Sequence, residues 1–168
     1  MPDDDVFGVE VVTPEQSLYA GGARSVVLAT SDGALTVLDG HTPLVGDVVP
    51  CELRVEEAEG NVQRLAVHGG FLQVDTSPGA AEGLAEGDGP LPGLSTRVTV
   101  LAGVAERAEE IDVARAELAK ETSGQRLADL TAGRAPAGED VEEDVATVEA
   151  EGALARAELR LAVAAGEA

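Results

Sequence analysis

Short apolar runs alternating with turn residues fill roughly the first hundred positions of the chain. Phe7, Val9 and Val11 occupy every second position, the spacing of one face of a β-strand. Turn sequences separate the later runs, namely SDG, DGHTP, EGN and GG, and they supply positive φ angles or a fixed proline. The later runs are 25–30, 34–38, 48–56, 62–68, 71–75 and 96–102. This pattern predicts seven or more strands in a sandwich or barrel, with no room for helices.

The segment 76–95 interrupts the strand pattern. It is rich in glycine and proline and shows neither a two-residue nor a helical period. The segment is therefore predicted to be a flexible loop inserted between two strands.

A helical spacing of apolar residues replaces the strand pattern in the last third of the chain. The stretch 106–130 contains no proline, and Ile111, Ala114 and Leu118 recur at helical intervals, which predicts a first amphipathic helix. The segment 133–140, GRAPAGED, is predicted to break the chain before a second helix. The predicted packing stripe of that second helix is Val141, Val145, Val148, Gly152, Ala155, Leu159 and Ala162.

Alanine and valine are distributed unequally along the chain. Residues 1–102 contain 10 Ala and 16 Val, whereas residues 103–168 contain 18 Ala and 6 Val. Valine favours a pleated sheet and alanine favours a helix. The sequence therefore predicts an α+β protein, with an N-terminal antiparallel β-sandwich at 1–102 followed by a C-terminal two-helix antiparallel hairpin at 103–168.

The charge of the chain excludes one large class of partners. With 32 acidic and 11 basic residues among 168, the formal charge is −21. Phosphate recognition relies on clustered Lys and Arg, so we expect no nucleic-acid binding. No run of 18 apolar residues is present, and we expect membrane contact only through a partner. The single cysteine, Cys51, forms no internal disulfide and suits a reducing compartment, and we expect no metal site.

Catalytic motifs are weak in this sequence. His41 or His68 would supply the base of a Ser/His/acid arrangement, but no G-x-S-x-G elbow accompanies them. Paired carboxylates occur by chance among so many acids, and no Walker sequence is present. We therefore expect no enzyme active site, and enzyme activity abolished by His41→Ala or His68→Ala would overturn that expectation.

Three other features of the sequence are candidates for a functional role. The loop Gly40-His41-Thr42-Pro43-Leu44 presents an imidazole and then an apolar side chain, unless it is an ordinary tight turn. Asp112 and Arg115 are spaced as a surface ion pair on a helix. Arg156 and Arg160 form an i,i+4 arginine pair, which either nearby carboxylates such as Glu158 or a bound anion must compensate.

The residues quoted above resemble the ε subunit of the F-type ATP synthase. The resemblance runs through 11–44, 65–74, 97–121 and 146–165, with the GH-x-PL loop and the double glycine before an apolar strand as its more specific parts. It implies a non-catalytic rotor subunit of the central stalk, which couples ion flow to ATP synthesis. The sandwich would lie between the γ subunit and the ring of c subunits, and the helices would extend into the catalytic α and β subunits and inhibit ATP hydrolysis. The implied partner-contact residues are Asp32, Gly40, His41, Thr42, Pro43 and Leu44.

The resemblance also implies a location and an optional ligand. The location is the cytoplasmic face of a bacterial plasma membrane, held there peripherally. Some members bind ATP through an I/L-D-x-x-R-A motif, and no cofactor is required. The matching residues here are Ile111, Asp112, Arg115 and Ala116, together with Glu106 before the motif and Arg156 and Arg160 near the C-terminus. They imply a weak regulatory ATP site, in which two arginines contact phosphate.

The sequence departs from the family pattern in several places. Asp39 stands where a proline commonly precedes the Gly-His pair, and an arginine expected near Thr122 is missing. Residues 76–95 resemble an insertion, and 133–144 adds an acidic block. The rival hypothesis from another class is a free-standing acidic interaction module whose hairpin forms a dimerising coiled coil.

Overall fold

A computed structural model describes residues 6–77, 96–134 and 143–166. The predicted insertion at 76–95 lies outside the described residues except for its first two positions, and most of the predicted break at 133–140 lies outside them as well. The described chain divides into two compact units between Ala108 and Glu109. We call them the strand-rich unit and the helical unit.

The strand-rich unit contains nine described strands in a predominantly antiparallel arrangement. They are β1 Phe7–Val12, β2 Ser17–Thr30, β3 Gly33–Val37, β4 Leu44–Val48, β5 Cys51–Glu57, β6 Val62–Val67, β7 Gly70–Asp75, β8 Arg97–Ala102 and β9 Ala105–Arg107. Their order is β1-β8-β7-β4-β2-β5-β6-β9, with β3 paired to β2 and a further pairing of β1 to β2. The pair β1/β8 is parallel. The predicted β-sandwich is confirmed.

The long strand β2 joins two parts of this sheet. Its first half pairs with β1, and its second half pairs with β3 and β5. The register with β5 shifts between Ala23 and Ser25, where an extra residue bends the strand. One strand of 14 residues thereby serves both layers of the sandwich.

The core follows the two-residue alternation of the strands. Phe7, Val9 and Val11 are all fully buried, as their spacing predicts. The core also contains the following residues: Leu18, Ala23, Val26, Leu28, Val37, Val48, Leu53, Val55, Leu65, Val67, Leu72, Val74, Val98, Val100 and Ala102. Leucine and valine thus supply most of the buried surface.

Two predicted strand boundaries and the predicted start of the first helix were wrong. The run 48–56 is two strands rather than one, because Pro50 lies between them and has no amide to donate to a ladder. The run 25–30 is the second half of a strand that begins at Ser17, since two glycines hide its alternation. Residues 105–107 form β9 against β6, although the first helix was predicted to begin at 106.

The helical unit contains two long helices, α1 at Val113–Thr131 and α2 at Glu143–Ala165. A single turn of 3₁₀ helix at Ala108–Glu110 precedes the start of α1. Lys120 contacts Glu158, and a Cβ at Gly124 would lie 3.9 Å from Leu154 Cδ1. The helices are therefore antiparallel, as predicted.

The predicted packing stripes of both helices were wrong. Leu118 is 64% exposed and Val148 is 65% exposed, although both belonged to the predicted stripes. The described residues buried in the two helices are Ala116, Leu130, Ala146, Ala150, Ala157 and Val163. Helices that pack closely bury small residues, so four of these six buried residues are alanines, while larger apolar residues such as Leu118 and Val148 are exposed. Val141, the first residue of the second stripe, lies outside the described residues.

Candidate functional site

The loop between β3 and β4 has a fixed shape. The His41 amide donates to the Leu38 carbonyl at 3.2 Å and closes a tight turn. Gly40 within that turn has φ +72°, a conformation that favours glycine. The Gly40 amide also donates to the Thr96 hydroxyl at 3.0 Å. The GH-x-PL loop is therefore held by a local backbone hydrogen bond and by a hydrogen bond to the side chain of a residue distant in sequence.

The His41 side chain is oriented by its neighbour. Its Nδ1 lies 2.8 Å from the carbonyl oxygen of Thr42. A carbonyl only accepts, so Nδ1 is the donor in this hydrogen bond. Thr42 and Pro43 are exposed, and His41 and Leu44 are half-buried. The loop presents a small mixed surface.

Asp32 is not part of the same surface as the loop. It lies in the exposed turn at the start of β3, whereas Gly40 to Pro43 follow the end of β3. A strand of five residues separates the two ends, a distance of roughly 16 Å at about 3.3 Å per residue. The six predicted partner-contact residues therefore form two separate points on the strand-rich unit.

An apolar patch on the sheet surface was missed by the sequence prediction. Val45, Phe71 and Leu101 are 73%, 57% and 50% exposed. Phe71 on β7 lies directly opposite Leu101 on β8. Val45 lies opposite Gln73, the next outward residue of β7. We call these three residues the apolar patch.

A signal for this patch was present in the sequence. Leu72 and Val74 point into the core, so Phe71 must point outward on the same strand. Leu101 is out of phase with the buried Val100 in the same way. Apolar residues out of phase with a buried face are the mark of a surface patch.

The predicted nucleotide motif begins α1. Asp112 is the N-cap of the helix, and its Oδ1 accepts the backbone amide of Arg115 at 3.0 Å. Within the described part of the chain no ion pair joins the Asp112 carboxylate to the Arg115 guanidinium. Ile111 and Ala116 are buried. The aspartate of the motif therefore stabilises the helix start, and the arginine side chain is exposed.

The antiparallel pairing places the predicted arginines in one half of the helical unit. Arg115 lies near the start of α1, and Arg156 and Arg160 lie in the second half of α2. Arg156 is exposed, and its Nη1 reaches back towards Gly152. Glu106 is on β9, in the strand-rich unit.

A groove of about 450 Å³ runs along this half of the helical unit. Its lining residues are Val113, Glu117, Lys120, Glu158, Leu161, Ala162, Ala164 and Ala165. None of the seven predicted nucleotide residues lines it. Lys120 is paired with Glu158 at 3.3 Å, and the other carboxylate of the lining, Glu117, disfavours a phosphate. The groove therefore does not coincide with the predicted nucleotide site.

The described ranges contain neither a metal site nor a membrane-spanning helix. No group of His, Cys, Asp or Glu residues there is arranged to hold a metal ion. Neither described helix is long and apolar enough to cross a bilayer. A sandwich with an exposed apolar patch, followed by a separate pair of helices, is typical of a subunit that docks onto other chains.

Comparisons with known proteins agree with this class. Residues 6–78 match the family model described as ATP synthase, Delta/Epsilon chain, beta-sandwich domain. The ATP synthase epsilon chain of Solibacter usitatus is 36% identical over 160 residues, which cover 95% of this chain and 96% of that protein. The epsilon chain of Desulforudis audaxviator is 42% identical over 120 residues, which cover 71% and 73%. The chain belongs to the ATP synthase epsilon chain family, whose members are subunits of an enzyme complex.

A solved structure has the same fold. It is a chain of the Euglena gracilis mitochondrial ATP synthase, in a structure of OSCP, F1 and c-ring in rotational state 1. The TM-score is 0.65 at 19% identity, covering 95% of this chain and 80% of that one. The free-standing module with a dimerising hairpin is not favoured, since the relatives are ATP synthase subunits and α1 already packs against α2.

Proposed function

We propose that this chain is a non-catalytic rotor subunit of the central stalk in a bacterial F-type ATP synthase. Its partners are the γ subunit, the c-subunit ring and the α and β subunits of the catalytic head. It lies peripherally at the cytoplasmic face of the plasma membrane and helps to couple ion flow to ATP synthesis. The observation that carries the proposal is the likeness to an epsilon chain over 95% of this chain.

The strand-rich unit is the attachment module in this proposal. Its apolar patch supplies the surface that a stable contact requires. Asp32 and the loop at Gly40 lie at opposite ends of β3, an arrangement that suits a module held between two partners. The γ subunit and the c ring are the two partners that the family suggests.

Substitutions in the apolar patch test the attachment. We expect Phe71→Thr and Leu101→Thr each to weaken binding to a purified γ–c-ring complex by about tenfold or more, since a large apolar side chain that is desolvated at an interface contributes at least about 1.4 kcal/mol. Threonine suits a strand, so the unfolding free energy should stay nearly constant. Val62→Thr is the matched control, because Val62 is 52% exposed on β6 outside the patch. Unchanged binding by both patch variants would remove the attachment surface from the proposal.

The helical unit is the regulatory element in this proposal. Removal of the chain after Ala108 deletes both helices and keeps β9 paired with β6. We expect an ATP synthase carrying this truncated subunit to assemble normally and to hydrolyse ATP faster. The measurement is steady-state hydrolysis of the assembled complex, compared with the full-length subunit. Equal hydrolysis rates would refute the inhibitory role and leave the attachment untouched.

A weak regulatory ATP site is the second part of the proposal. Its support is the motif at Ile111 to Ala116 and the placement of Arg115 and Arg156 in the same half of the hairpin. Within the described residues neither guanidinium is ion-paired with a carboxylate. Calorimetric titration with ATP should show binding that Arg115→Gln and Arg156→Gln both weaken. Arg126→Gln, an exposed arginine of α1 outside the motif, is the control. The absence of binding heat at millimolar ATP would refute the regulatory ATP site.

A further inference from the structure

Thr96 is a fully buried polar residue beside the loop that is proposed to contact a partner. Its exposed fraction is 0%. Its carbonyl accepts the Gly8 amide of β1 at 2.9 Å. The next residue, Arg97, places Nη2 2.5 Å from the Glu10 carboxylate. The position of Thr96 is therefore fixed by its own backbone hydrogen bond to β1 and by the ion pair that joins the next residue, Arg97, to Glu10 of β1.

The Thr96 hydroxyl holds the loop at 38–43. Its Oγ1 accepts the Gly40 amide at 3.0 Å, a hydrogen bond between residues 56 positions apart. The other hydrogen bonds of the loop among described residues are local, such as that from the His41 amide to the Leu38 carbonyl. Asp39 adds no support, since its Oδ1 is buried and bonds no donor in the described part of the chain. One side chain thus connects the loop to the rigid sheet.

We propose that Thr96 is a positioning residue for partner binding. Its hydroxyl fixes the Gly40 amide and, with it, the presentation of His41 to Leu44. This inference rests on the proposed function, in which that loop contacts the rotor. Thr96 directly precedes β8, so the side chain that leads into this strand also sets the shape of the contact loop.

Two variants at position 96 and one control at position 99 test this role. Thr96→Val keeps the shape and burial of the side chain but offers no acceptor to the Gly40 amide. Thr96→Ser keeps the acceptor and loses only a methyl group. Thr99→Val makes the same chemical change at a half-buried position on β8, the strand that Thr96 directly precedes. A hydrogen bond of this kind changes an opening equilibrium by about tenfold.

Amide hydrogen exchange of the full-length protein tests the fixed loop. In Thr96→Val we expect exchange at Gly40 to quicken by about tenfold, while the core amides of β7 keep their wild-type protection. Thr96→Ser and Thr99→Val should exchange at Gly40 as the wild type does. If Gly40 exchange is unchanged in Thr96→Val, or rises only together with that of the core, the inference is overturned.

Binding to the γ–c-ring complex tests the consequence of a released loop. We expect Thr96→Val to bind several-fold more weakly, Thr96→Ser to restore affinity, and Thr99→Val to match the wild type. Wild-type affinity in a Thr96→Val protein whose loop exchanges rapidly would refute the positioning role. A wild-type protein that does not bind the complex at all would instead refute the proposed function, and the exchange result would still decide the role of Thr96 in holding the loop.

Discussion

The strand-rich unit and the helical unit are stabilised by different kinds of side chain. The core of the strand-rich unit contains large residues without exposed surface, such as Phe7, Leu28 and Leu53. Among the described residues of the helical unit, most of the buried ones are alanines, and Leu130, Val163 and Ile111 are the larger residues buried with them. A fully buried leucine contributes about 1.5–3 kcal/mol, and a buried methyl group about 0.8 kcal/mol. The two units should therefore differ widely in stability.

This difference suits the two proposed roles. An attachment module must keep one surface shape while it is bound to its partners, and a densely packed core provides that rigidity. A regulatory hairpin must open at a low cost in free energy. An interface of small residues meets that need, because few apolar groups become exposed when the helices separate.

Leu53→Ala should break the strand-rich unit most severely. Leu53 is completely buried on β5, and its truncation leaves a cavity that β5 and its neighbours cannot close. We expect a loss of about 2–5 kcal/mol in the unfolding free energy of this unit. The loss in unfolding free energy is measured by urea unfolding, with amide exchange in the core strands as the probe. Leu101→Ala, half-exposed on β8, should change the stability by less than about 0.5 kcal/mol. Similar effects of the two variants would contradict the assigned core.

Leu130→Ala should melt the helical unit and spare the sandwich. Leu130 packs with Ala146, Ala150 and Leu127, and small residues cannot fill the space that it leaves. We expect a loss of about 2–3 kcal/mol from the stability of the hairpin, seen as reduced helical circular dichroism at 222 nm. Leu118→Ala, at a position that is 64% exposed, is the control. An equal loss of amide protection in the strands would show that the two units unfold together.

The same contrast explains which part of the fold the sequence could predict. In the strands, period-two alternation separates large buried residues from polar ones, and Phe7, Val9 and Val11 were assigned to the core correctly. In the helices, alanine is the buried residue and is also common on the outside. Leu118 and Val148 were therefore given to the wrong face, because hydrophobicity alone does not reveal close helix packing.

The contact surfaces show a similar division. The GH-x-PL loop could be found from its residues, since glycine, histidine and proline are conspicuous in a short segment. The hydrogen bond between this loop and Thr96 could not be predicted from the sequence, because the two residues are 56 positions apart. The outward direction of Phe71 and Leu101 follows from the alternation in each strand, but their assembly into one patch could not be predicted, because they meet only through the pairing of β7 with β8.

Alkaline pH should weaken the strand-rich unit through Tyr19. Burial raises the pKa of Tyr19 to about 12, and the carboxylates of Glu57 and Glu59 add to the shift. Since the folded-state pKa lies above the ordinary value of 10, the stabilising effect is complete below pH 10 and is lost as the pH rises towards 12. For a half-exposed phenol we expect a loss of about 1 kcal/mol.

Absorbance at 295 nm follows this titration cleanly. Tyr19 is the single tyrosine, and the chain has no tryptophan. Tyr19→Phe loses the hydrogen bond from the phenol to the Gly22 carbonyl, but its unfolding free energy should not share the alkaline decline. A midpoint near pH 10 in the folded protein would contradict the buried environment of this side chain.

Gly124→Ala should narrow the gap between the two units. Gly124 lies within α1, and an added Cβ would meet Leu154 Cδ1 at 3.9 Å, an ordinary van der Waals distance. Alanine favours the helix by about 0.8–1 kcal/mol over glycine, so the hairpin should gain most of that amount. Thermal unfolding of the helices measures it, and Ala128→Gly, an exposed change in the same helix, should produce the opposite shift. Destabilisation by Gly124→Ala would mean that the helices pack too closely at Gly124 to admit a Cβ, in contradiction to the 3.9 Å separation from Leu154 Cδ1.

The smallest effect should come from the ion pair between the two helices. Lys120 and Glu158 are 3.3 Å apart, and their side chains are 49% and 51% exposed. Water screens such a pair, so we expect a coupling energy of about 0.2–1 kcal/mol that falls as salt is added. A double-mutant cycle with Lys120→Gln and Glu158→Gln isolates the coupling from the effects of the single changes. A coupling well above this range, insensitive to salt, would mean that the hairpin is held by charge rather than by its alanine interface, and the proposed ease of opening would then depend on this pair.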